Sequence, residues 1–98
     1  MAKVKSIKKI KRRKTTFSLN SSDSKEVILM GEFNNWNPKK HPMKSDGNGI
    51  WTKAVMLFPG NHEYKFLVDG EWKEDPQNDQ RCANCFGTYN NVFTLNAP

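Results

Sequence analysis

The sequence has few of the residues that form metal centres and disulfide frameworks. Its 98 residues include two cysteines and two histidines, and both cysteines lie in one Cys82-Ala-Asn-Cys85 motif. A zinc site needs about four ligands, and no second close pair accompanies this motif. A thioredoxin-like site would need a βαβ context, which the sequence does not indicate. We therefore expect two free thiols in a loop, and neither a metal nor a cofactor.

Long hydrophobic runs are also missing. The longest are Val27 to Met30 and Ala54 to Phe58, whereas a membrane-spanning helix needs about 20 apolar residues. The basic start is not followed by the apolar stretch of about 7 to 15 residues that a signal peptide requires. These absences predict a cytoplasmic protein that does not contact a membrane.

Acidic residues are absent from residues 1–14, which hold eight of the sixteen Lys and Arg residues. The rest of the chain carries eight basic and ten acidic residues, a formal charge of −2. Nucleic-acid binding depends largely on Lys and Arg that neutralise phosphates. The slightly acidic remainder of the chain is therefore a poor match for a phosphate backbone. The length suits one domain. We expect a flexible basic arm over residues 1–12 and a single module over residues 13–98.

No segment has the apolar spacing of an amphipathic helix. Short apolar or alternating runs instead recur between clusters of Gly, Pro, Asn and Asp, which is typical of an all-β sandwich or barrel. Residues 77–88 show no clear period, and we interpret them as a loop. The count of strands matches an immunoglobulin-like antiparallel β-sandwich of about six to eight strands. The predicted strands are Thr15 to Leu19, Glu26 to Phe33, Ile50 to Phe58, Glu63 to Val68, the run after Gly70, and Asn91 to Leu95.

The Asp69-Gly70 pair predicts a two-residue hairpin turn, and this turn fixes which residues share a face. Opposed residues lie on one face and faces alternate along each strand. The predicted core face carries Tyr64, Phe66 and Val68. The other face carries Lys65, Leu67, Trp72 and Glu74. A large aromatic on an exposed face marks a contact site; the alternative is that the loop containing Phe86 covers Trp72.

Four segments, taken together, resemble a known family: VILMGEFNNW (27–36), GNHEYKFLVDGEW (60–72), Asp75-Pro76 and GTYNN (87–91). They occur in the order found in family 48 carbohydrate-binding modules. These modules include the glycogen-binding domain of AMP-activated protein kinase β subunits and the N-terminal domains of isoamylase, branching and debranching enzymes. The resemblance covers about residues 13–96, and it implies an early-set immunoglobulin-like fold that binds glycogen or starch without catalysis.

The resemblance also implies the sugar-binding residues. Trp36 and Trp72 would be the stacking rings, Lys65 the charged donor, and Asn90 the amide partner. Thr88 matches the family's threonine, and Phe86 stands where the kinase modules usually have leucine. These types suit a sugar, since C–H faces of glucose stack on indole rings and its hydroxyls bond to amide and ammonium groups.

Each of these residues also has a purely structural alternative. Trp36 could plug the edge of the sandwich, and Lys65 could be an ordinary solvated strand lysine. Thr88 could be a strand residue without a ligand role. Asn90 and Asn91 could both satisfy backbone groups of a turn, as Asn commonly does. We favour a ligand role for Asn90 and a turn role for Asn91.

Three other functions compete with binding of α-1,4-glucan. A glycosidase needs two carboxylates that flank the scissile bond, and the sequence indicates no such buried pair. A single-stranded nucleic-acid binder could stack bases on the same aromatics and use the basic arm. A regulatory or scaffold module would bind a separate enzyme or kinase chain without binding sugar. The sequence favours a glucan polysaccharide or maltooligosaccharide as the partner.

Overall fold

A computed structural model describes residues 11–96 of the chain, and these residues form an all-β domain. The basic arm predicted over residues 1–12 therefore lies almost entirely outside the described residues. Apart from a single 3-10 turn at Glu32–Asn34, the regular structure in this range is strand. No helix in this range has the length and apolarity needed to cross a bilayer. The strands are β1 (Arg13–Asn20), β2 (Val27–Gly31), β3 (Lys44–Ser45), β4 (Ile50–Leu57), β5 (Gly60–Val68), β6 (Glu71–Lys73), β7 (Arg81–Ala83) and β8 (Tyr89–Leu95).

The strands form two antiparallel sheets within the described range. One sheet has the order β1-β4-β3, and the other has the order β2-β5-β8-β7 with β6 paired to β5 beyond the end of β8. Antiparallel sheets joined by short turns commonly pack one face on the core, as the alternating sequence pattern predicts. The predicted all-β sandwich is confirmed.

The core lies between the two sheets. The first sheet contributes Phe17 and Leu19 from β1 and Trp51, Val55 and Leu57 from β4. The second contributes alternate residues of β2, β5 and β8, among which Leu29 and Phe66 are fully buried; the set is Val27, Leu29, Tyr64, Phe66 and Leu95. Burial of these side chains from both sheets supplies the main free energy of folding.

The strand β2 is apolar along its whole length because both of its faces are covered. Val27 and Leu29 point into the core, whereas Ile28 and Met30 lie opposite Leu67 and Lys65 on the outer face of the larger sheet. Ile28 and Met30 are nevertheless buried. The apolar run is therefore continuous because the outer face of the sheet is also covered at β2, in addition to the core face.

The β5–β6 hairpin confirms the register expected from Asp69-Gly70. Phe66 lies opposite Lys73, Leu67 opposite Trp72 and Val68 opposite Glu71. Both turn residues have positive φ, at 49° for Asp69 and 84° for Gly70, as the predicted turn type requires. Trp72 consequently stands on the outer face of the larger sheet.

The segment 77–88 differs from the loop that the sequence indicates, because it contains β7 at Arg81–Ala83. This strand pairs with β8 alone and has no fully buried residue, so it leaves no hydrophobic pattern in the sequence. The two-residue strand β3 was missed for the same reason. The predicted strand over residues 26–33 ends earlier, at Gly31, where the 3-10 turn begins.

A buried polar network joins the sheet to the chain between β6 and β7. Asn91 is fully buried; its Oδ1 accepts from the Asp75 backbone N–H (2.6 Å) and its Nδ2 donates to the Asn78 carbonyl (3.0 Å). The Tyr64 hydroxyl donates to Asp75 Oδ2 (2.7 Å) and accepts from Asn78 Nδ2 (2.9 Å). The network fixes the path of the chain from β6 to β7.

The buried Tyr64 hydroxyl should make the stability of the domain depend on pH in the alkaline range. Burial raises the pKa of Tyr64 well above its ordinary value; the Asn78 hydrogen bond opposes this rise and the Asp75 carboxylate adds to it. The unfolded chain loses this proton near pH 10 while the folded domain keeps it, so stability falls as the pH rises above about 10. Denaturant titrations at pH 9 to 11 should show an extra loss of up to about 1.4 kcal/mol per pH unit in the wild type, absent in Tyr64→Phe. Equal pH slopes for the two proteins would contradict this assignment.

Candidate sugar-binding site

The outer face of the larger sheet carries a cavity of about 700 Å³. Its floor is formed by β5, β6 and β8, and its walls come from the segment after β2 and the β7–β8 turn. Lys65 and Glu63 alternate along β5 on this face, and Asn90 of β8 shares it. The lining residues are Glu32, Trp36, Glu63, Lys65, Trp72, Asn84, Cys85, Phe86, Thr88 and Asn90.

Two tryptophan rings meet at one side of the cavity. The centroids of Trp36 and Trp72 are 6.3 Å apart, and their planes are inclined by 70°. Trp72 projects from β6 and remains 54% exposed, so the loop containing Phe86 does not cover it. Trp36 is half-buried. Two indoles held edge to face form an angled apolar surface open to solvent.

The backbone that presents Trp36 is in the left-handed region. Asn35 and Trp36 both have φ of 56°, and the Trp36 N–H donates to the Gly31 carbonyl (2.9 Å). This conformation is tolerated by Asn but is rare for a bulky residue, which it costs roughly 1–2 kcal/mol. Strain of this kind is concentrated at functional sites. The conformation of Trp36 therefore favours a contact role over a role in plugging the sandwich edge.

Replacement of Trp36 tests this strain directly. We expect Trp36→Gly to be more stable than Trp36→Ala by about 1 kcal/mol, the reverse of their usual order, because only Gly adopts this φ freely. Chemical denaturation of the two variants measures the difference. If Ala were the more stable replacement, the backbone at residue 36 would not be strained.

The turn that precedes Trp36 is held by one buried amide. Asn34 Oδ1 accepts from the Gly31 N–H (3.1 Å), and Asn34 Nδ2 donates to the Leu29 carbonyl (2.9 Å). The same Nδ2 lies 2.8 Å from His41 Nδ1. Burial lowers the pKa of His41, with Lys53 and Lys40 adding to the effect. A neutral His41 can accept this hydrogen bond at Nδ1, and the turn is fixed from both ends.

Lys65 is buried under the rim of the cavity and is only 6% exposed. Its Nζ donates to Thr88 Oγ1 (3.1 Å). An ammonium group has three N–H donors, so two of them have no protein acceptor among the described residues. Charged groups are costly to bury without partners. Lys65 lines the cavity, so these two donors are available to a ligand there.

Asn90 and two carboxylates form the polar floor. Asn90 is 8% exposed, and its Nδ2 donates to Glu63 Oε1 (3.1 Å). Glu32 reaches across from the 3-10 turn, where its Oε1 accepts from the Glu63 backbone N–H (3.0 Å). Both carboxylates retain further acceptor capacity. The floor of the cavity thus carries both hydrogen-bond donors and acceptors, and aromatic side chains surround it.

The β7–β8 turn forms the outer wall and raises Phe86 into solvent. Phe86 is 84% exposed, the most exposed of the large hydrophobic residues in the described range. Cys85 beside it is an exposed free thiol, and Cys82 is a partly buried one. Burial raises the pKa of Cys82, as does the neighbouring Glu63. The wall is therefore aromatic at its tip and carries no disulfide.

The structure brings all six residues of the predicted site to this one cavity: Trp36, Lys65, Trp72, Phe86, Thr88 and Asn90. Sequence reasoning missed four lining residues, namely Glu32, Glu63, Asn84 and Cys85. Glu63 could have been found from its position two residues before Lys65, because alternation places both on one face. Glu32, Asn84 and Cys85 lie in turns, where no periodicity indicates direction.

Comparison with known proteins identifies the family of the chain. Residues 13–98 match the family model described as the glycogen recognition site of AMP-activated protein kinase. The β-2 subunit of this kinase from Homo sapiens is 36% identical over 89 residues, covering 90% of this chain and 31% of the subunit. The β-1 subunit from Sus scrofa is 44% identical over 72 residues, covering 72% of this chain and 55% of the subunit.

A chloroplast protein is also similar. Protein PTST homolog 2 from Arabidopsis thaliana is 42% identical over 55 residues, which cover 56% of this chain and 10% of that protein. The chain thus spans between a tenth and about half of the length of these relatives. The matched family is defined by recognition of glycogen and not by a reaction, in agreement with the prediction that the domain is not an enzyme. The chain belongs to the family of glycogen-recognition domains found in AMP-activated protein kinase.

Proposed function

We propose that this domain binds α-1,4-glucan non-catalytically in the cavity lined by Trp36, Lys65 and Trp72. The observation that carries the proposal is the joint placement of two inclined, solvent-accessible indoles and a buried ammonium group along one cavity. Apolar C–H faces of glucose would stack on the indoles and release ordered water. The membership of the glycogen-recognition family supports the same ligand.

The angle between the rings supports a preference for α linkages. Chains of β-1,4-linked glucose are flat ribbons, and a row of coplanar rings suits them. Chains of α-1,4-linked glucose curve, so consecutive sugars present their faces in different directions. Rings inclined by 70° suit such a curved chain better than they suit a flat ribbon. The domain should therefore discriminate starch and glycogen from cellulose.

The hydrogen-bonding groups of the cavity suit vicinal hydroxyls. Lys65 has two N–H donors directed to no protein acceptor in the described range. Asn90 has one N–H and one lone pair beyond its bonds to Asn84 and Glu63. A sugar hydroxyl both donates and accepts, so adjacent donors and acceptors can bind a pair of hydroxyls on one glucose ring.

The charge of the cavity argues against nucleic acid. Its lining holds two carboxylates, Glu32 and Glu63, and one ammonium group, Lys65. A phosphate backbone would meet net negative charge there, whereas binding to nucleic acid relies on Lys and Arg. A neutral glucan is not repelled. The surroundings of the aromatic rings therefore suit a neutral sugar and disfavour a phosphate group.

Isothermal titration with maltoheptaose tests the proposal. We expect a dissociation constant in the micromolar to millimolar range, roughly −8 to −4 kcal/mol. Raising salt from 50 to 500 mM should change this affinity little, whereas nucleic-acid binding would weaken steeply. Retention on insoluble starch with none on cellulose would support α specificity. No binding to maltoheptaose, or release of reducing ends from glycogen, would overturn the proposal.

The proposal extends to the protein that carries this domain, in which the domain would serve as a glucan anchor. The relatives named as kinase β subunits extend well beyond the matched region. The domain would then hold an attached or associated chain, such as a kinase or another enzyme, on a glucan surface. Weak single-site binding suits this role, because several domains on one polymer bind with avidity.

A further inference from the structure

The β7–β8 turn contains one side chain, Asn84, that contacts three of the residues assigned to the sugar site. Asn84 directly follows β7, and its backbone N–H donates to the Thr88 carbonyl (2.9 Å). It lines the cavity but is partly buried behind the turn. It lay outside the set of residues that the sequence indicated.

The amide oxygen of Asn84 shapes the turn that carries Phe86. Oδ1 accepts from the backbone N–H groups of Phe86 (2.9 Å) and Thr88 (3.2 Å). Asn side chains commonly stabilise turns in this way. Gly87 lies between these two donor residues, and its φ of 81° completes the reversal of the chain. The turn that carries Phe86 is therefore held by side-chain hydrogen bonds beneath the exposed ring.

The amide nitrogen of Asn84 orients the floor of the cavity. Nδ2 donates to Thr88 Oγ1 (2.8 Å) and to Asn90 Oδ1 (3.0 Å). Because Asn90 Nδ2 donates to Glu63 Oε1 (3.1 Å), the amide of Asn90 is held at both ends. Asn84 thereby determines which edge of the Asn90 amide faces the cavity.

The hydrogen-bonding capacity of Asn84 and Thr88 is used up within the protein. Both N–H groups of Asn84 are donated, and its Oδ1 accepts from three donors. The Thr88 hydroxyl accepts from Lys65 Nζ (3.1 Å) and Asn84 Nδ2, and it donates to Asn84 Oδ1 (3.1 Å). A hydroxyl has one donor and two acceptor sites. Neither side chain has a hydrogen bond left for a sugar.

We propose that Asn84 is the positioning residue of the glucan site: it sets Phe86 and Asn90 directly and Lys65 through Thr88, without bonding to the sugar. The inference rests on the proposed function. It assigns the ligand contacts to Phe86, Asn90, Lys65 and the two indoles, and it gives Thr88 the role of a bridge. Preorganisation of this kind raises affinity because less freedom is lost on binding.

The test compares two substitutions that remove different halves of the Asn84 amide. Asn84→Ala removes all of its side-chain hydrogen bonds. Asn84→Asp keeps the oxygen that accepts from Phe86 and Thr88 but replaces the donor group with a second acceptor oxygen, which would face Asn90 Oδ1. We expect Asn84→Ala to lower the affinity for maltoheptaose about tenfold, and Asn84→Asp to lower it less, by about threefold to fivefold.

Double-mutant cycles with Phe86→Ala separate positioning from general stability. Asn84→Ala should lose much of its effect in the Phe86→Ala background, because part of its action passes through Phe86. Asn84→Asp preserves the turn, so its effect should combine additively with Phe86→Ala. Amide exchange at the Phe86 and Thr88 N–H groups should accelerate in Asn84→Ala and stay slow in Asn84→Asp.

Each outcome of this experiment decides a separate question. Unchanged affinity in Asn84→Ala, with Trp72→Ala still losing affinity, would overturn the positioning role and leave glucan binding intact. Additive effects of Asn84→Ala and Phe86→Ala would overturn it as well. If the wild-type domain fails to bind maltoheptaose, the proposed function and this inference fail together. A stability loss without an affinity loss in the folded protein would make Asn84 purely structural.

Discussion

Trp72→Ala is expected to abolish retention of the domain on glycogen while leaving the fold intact. The indole forms half of the angled aromatic surface, and its removal leaves Trp36 without its partner ring. The side chain is 54% exposed, so its loss should change the free energy of unfolding by no more than about 1 kcal/mol. We expect the affinity for maltoheptaose to fall at least about tenfold, or 1.4 kcal/mol.

Phe58→Ala provides a matched control for this substitution. Phe58 is 53% exposed, almost the same fraction as Trp72, but it lies with Met56 and His62 in a different groove that shares only Glu32 with the sugar cavity. Loss of an exposed aromatic there should leave binding to maltoheptaose unchanged. If both substitutions weakened binding equally, the effect would come from surface apolarity in general and not from the proposed site.

Substitution of the two adjacent asparagines is expected to give opposite results. Asn91 lies opposite Tyr64 on the core face, where it is fully buried and bonded to the Asp75 N–H and the Asn78 carbonyl. Asn91→Ala leaves both backbone groups without their partner, which should cost about 2–4 kcal/mol of unfolding free energy. This is a large share of the stability of about 5–15 kcal/mol that is typical of a domain.

Asn90→Ala should affect binding instead. Its partners, Asn84 Nδ2 and Glu63 Oε1, border the cavity and regain water when the amide is removed. We expect a stability change of about 1 kcal/mol or less and a loss of affinity of about tenfold. Denaturant titration and isothermal titration of both variants measure the two effects. Equal destabilisation by the two substitutions would remove the basis for assigning them to different faces.

The part of the site that could be predicted from the sequence depends on the Asp69-Gly70 turn. A two-residue turn fixes register, and register fixes faces, so the outward position of Trp72 and its common face with Lys65 follow from local rules. The structure has this register. The resemblance, and not a local rule, assigned the other four residues to the site: Trp36, Phe86, Thr88 and Asn90. Their distance from Trp72 depends on how separate loops fold back onto the sheet.

Other features have no local signal. The burial of Lys65 to 6% exposure arises because the β7–β8 turn and the segment after β2 cover a strand position that alternation alone marks as open. Glu74, predicted to share the outer face with Lys65, lies beyond the end of β6 and forms an ion pair with Arg81 (3.0 Å). The position of Asn84 depends on a three-residue strand without buried side chains. These features are set by tertiary contacts, which a pattern of residues along the chain does not encode.

Titration of the ¹⁵N-labelled domain with maltoheptaose tests glucan binding at this cavity most directly. The chain has three tryptophans, and each gives one indole N–H resonance. Trp51 is an internal reference, because it is buried in the core and its Nε1 donates to the Ser21 carbonyl (2.9 Å). We expect saturable shifts of the Trp36 and Trp72 indole resonances and a stationary Trp51 resonance. Saturable binding that left both Trp36 and Trp72 unmoved would contradict glucan binding at this cavity.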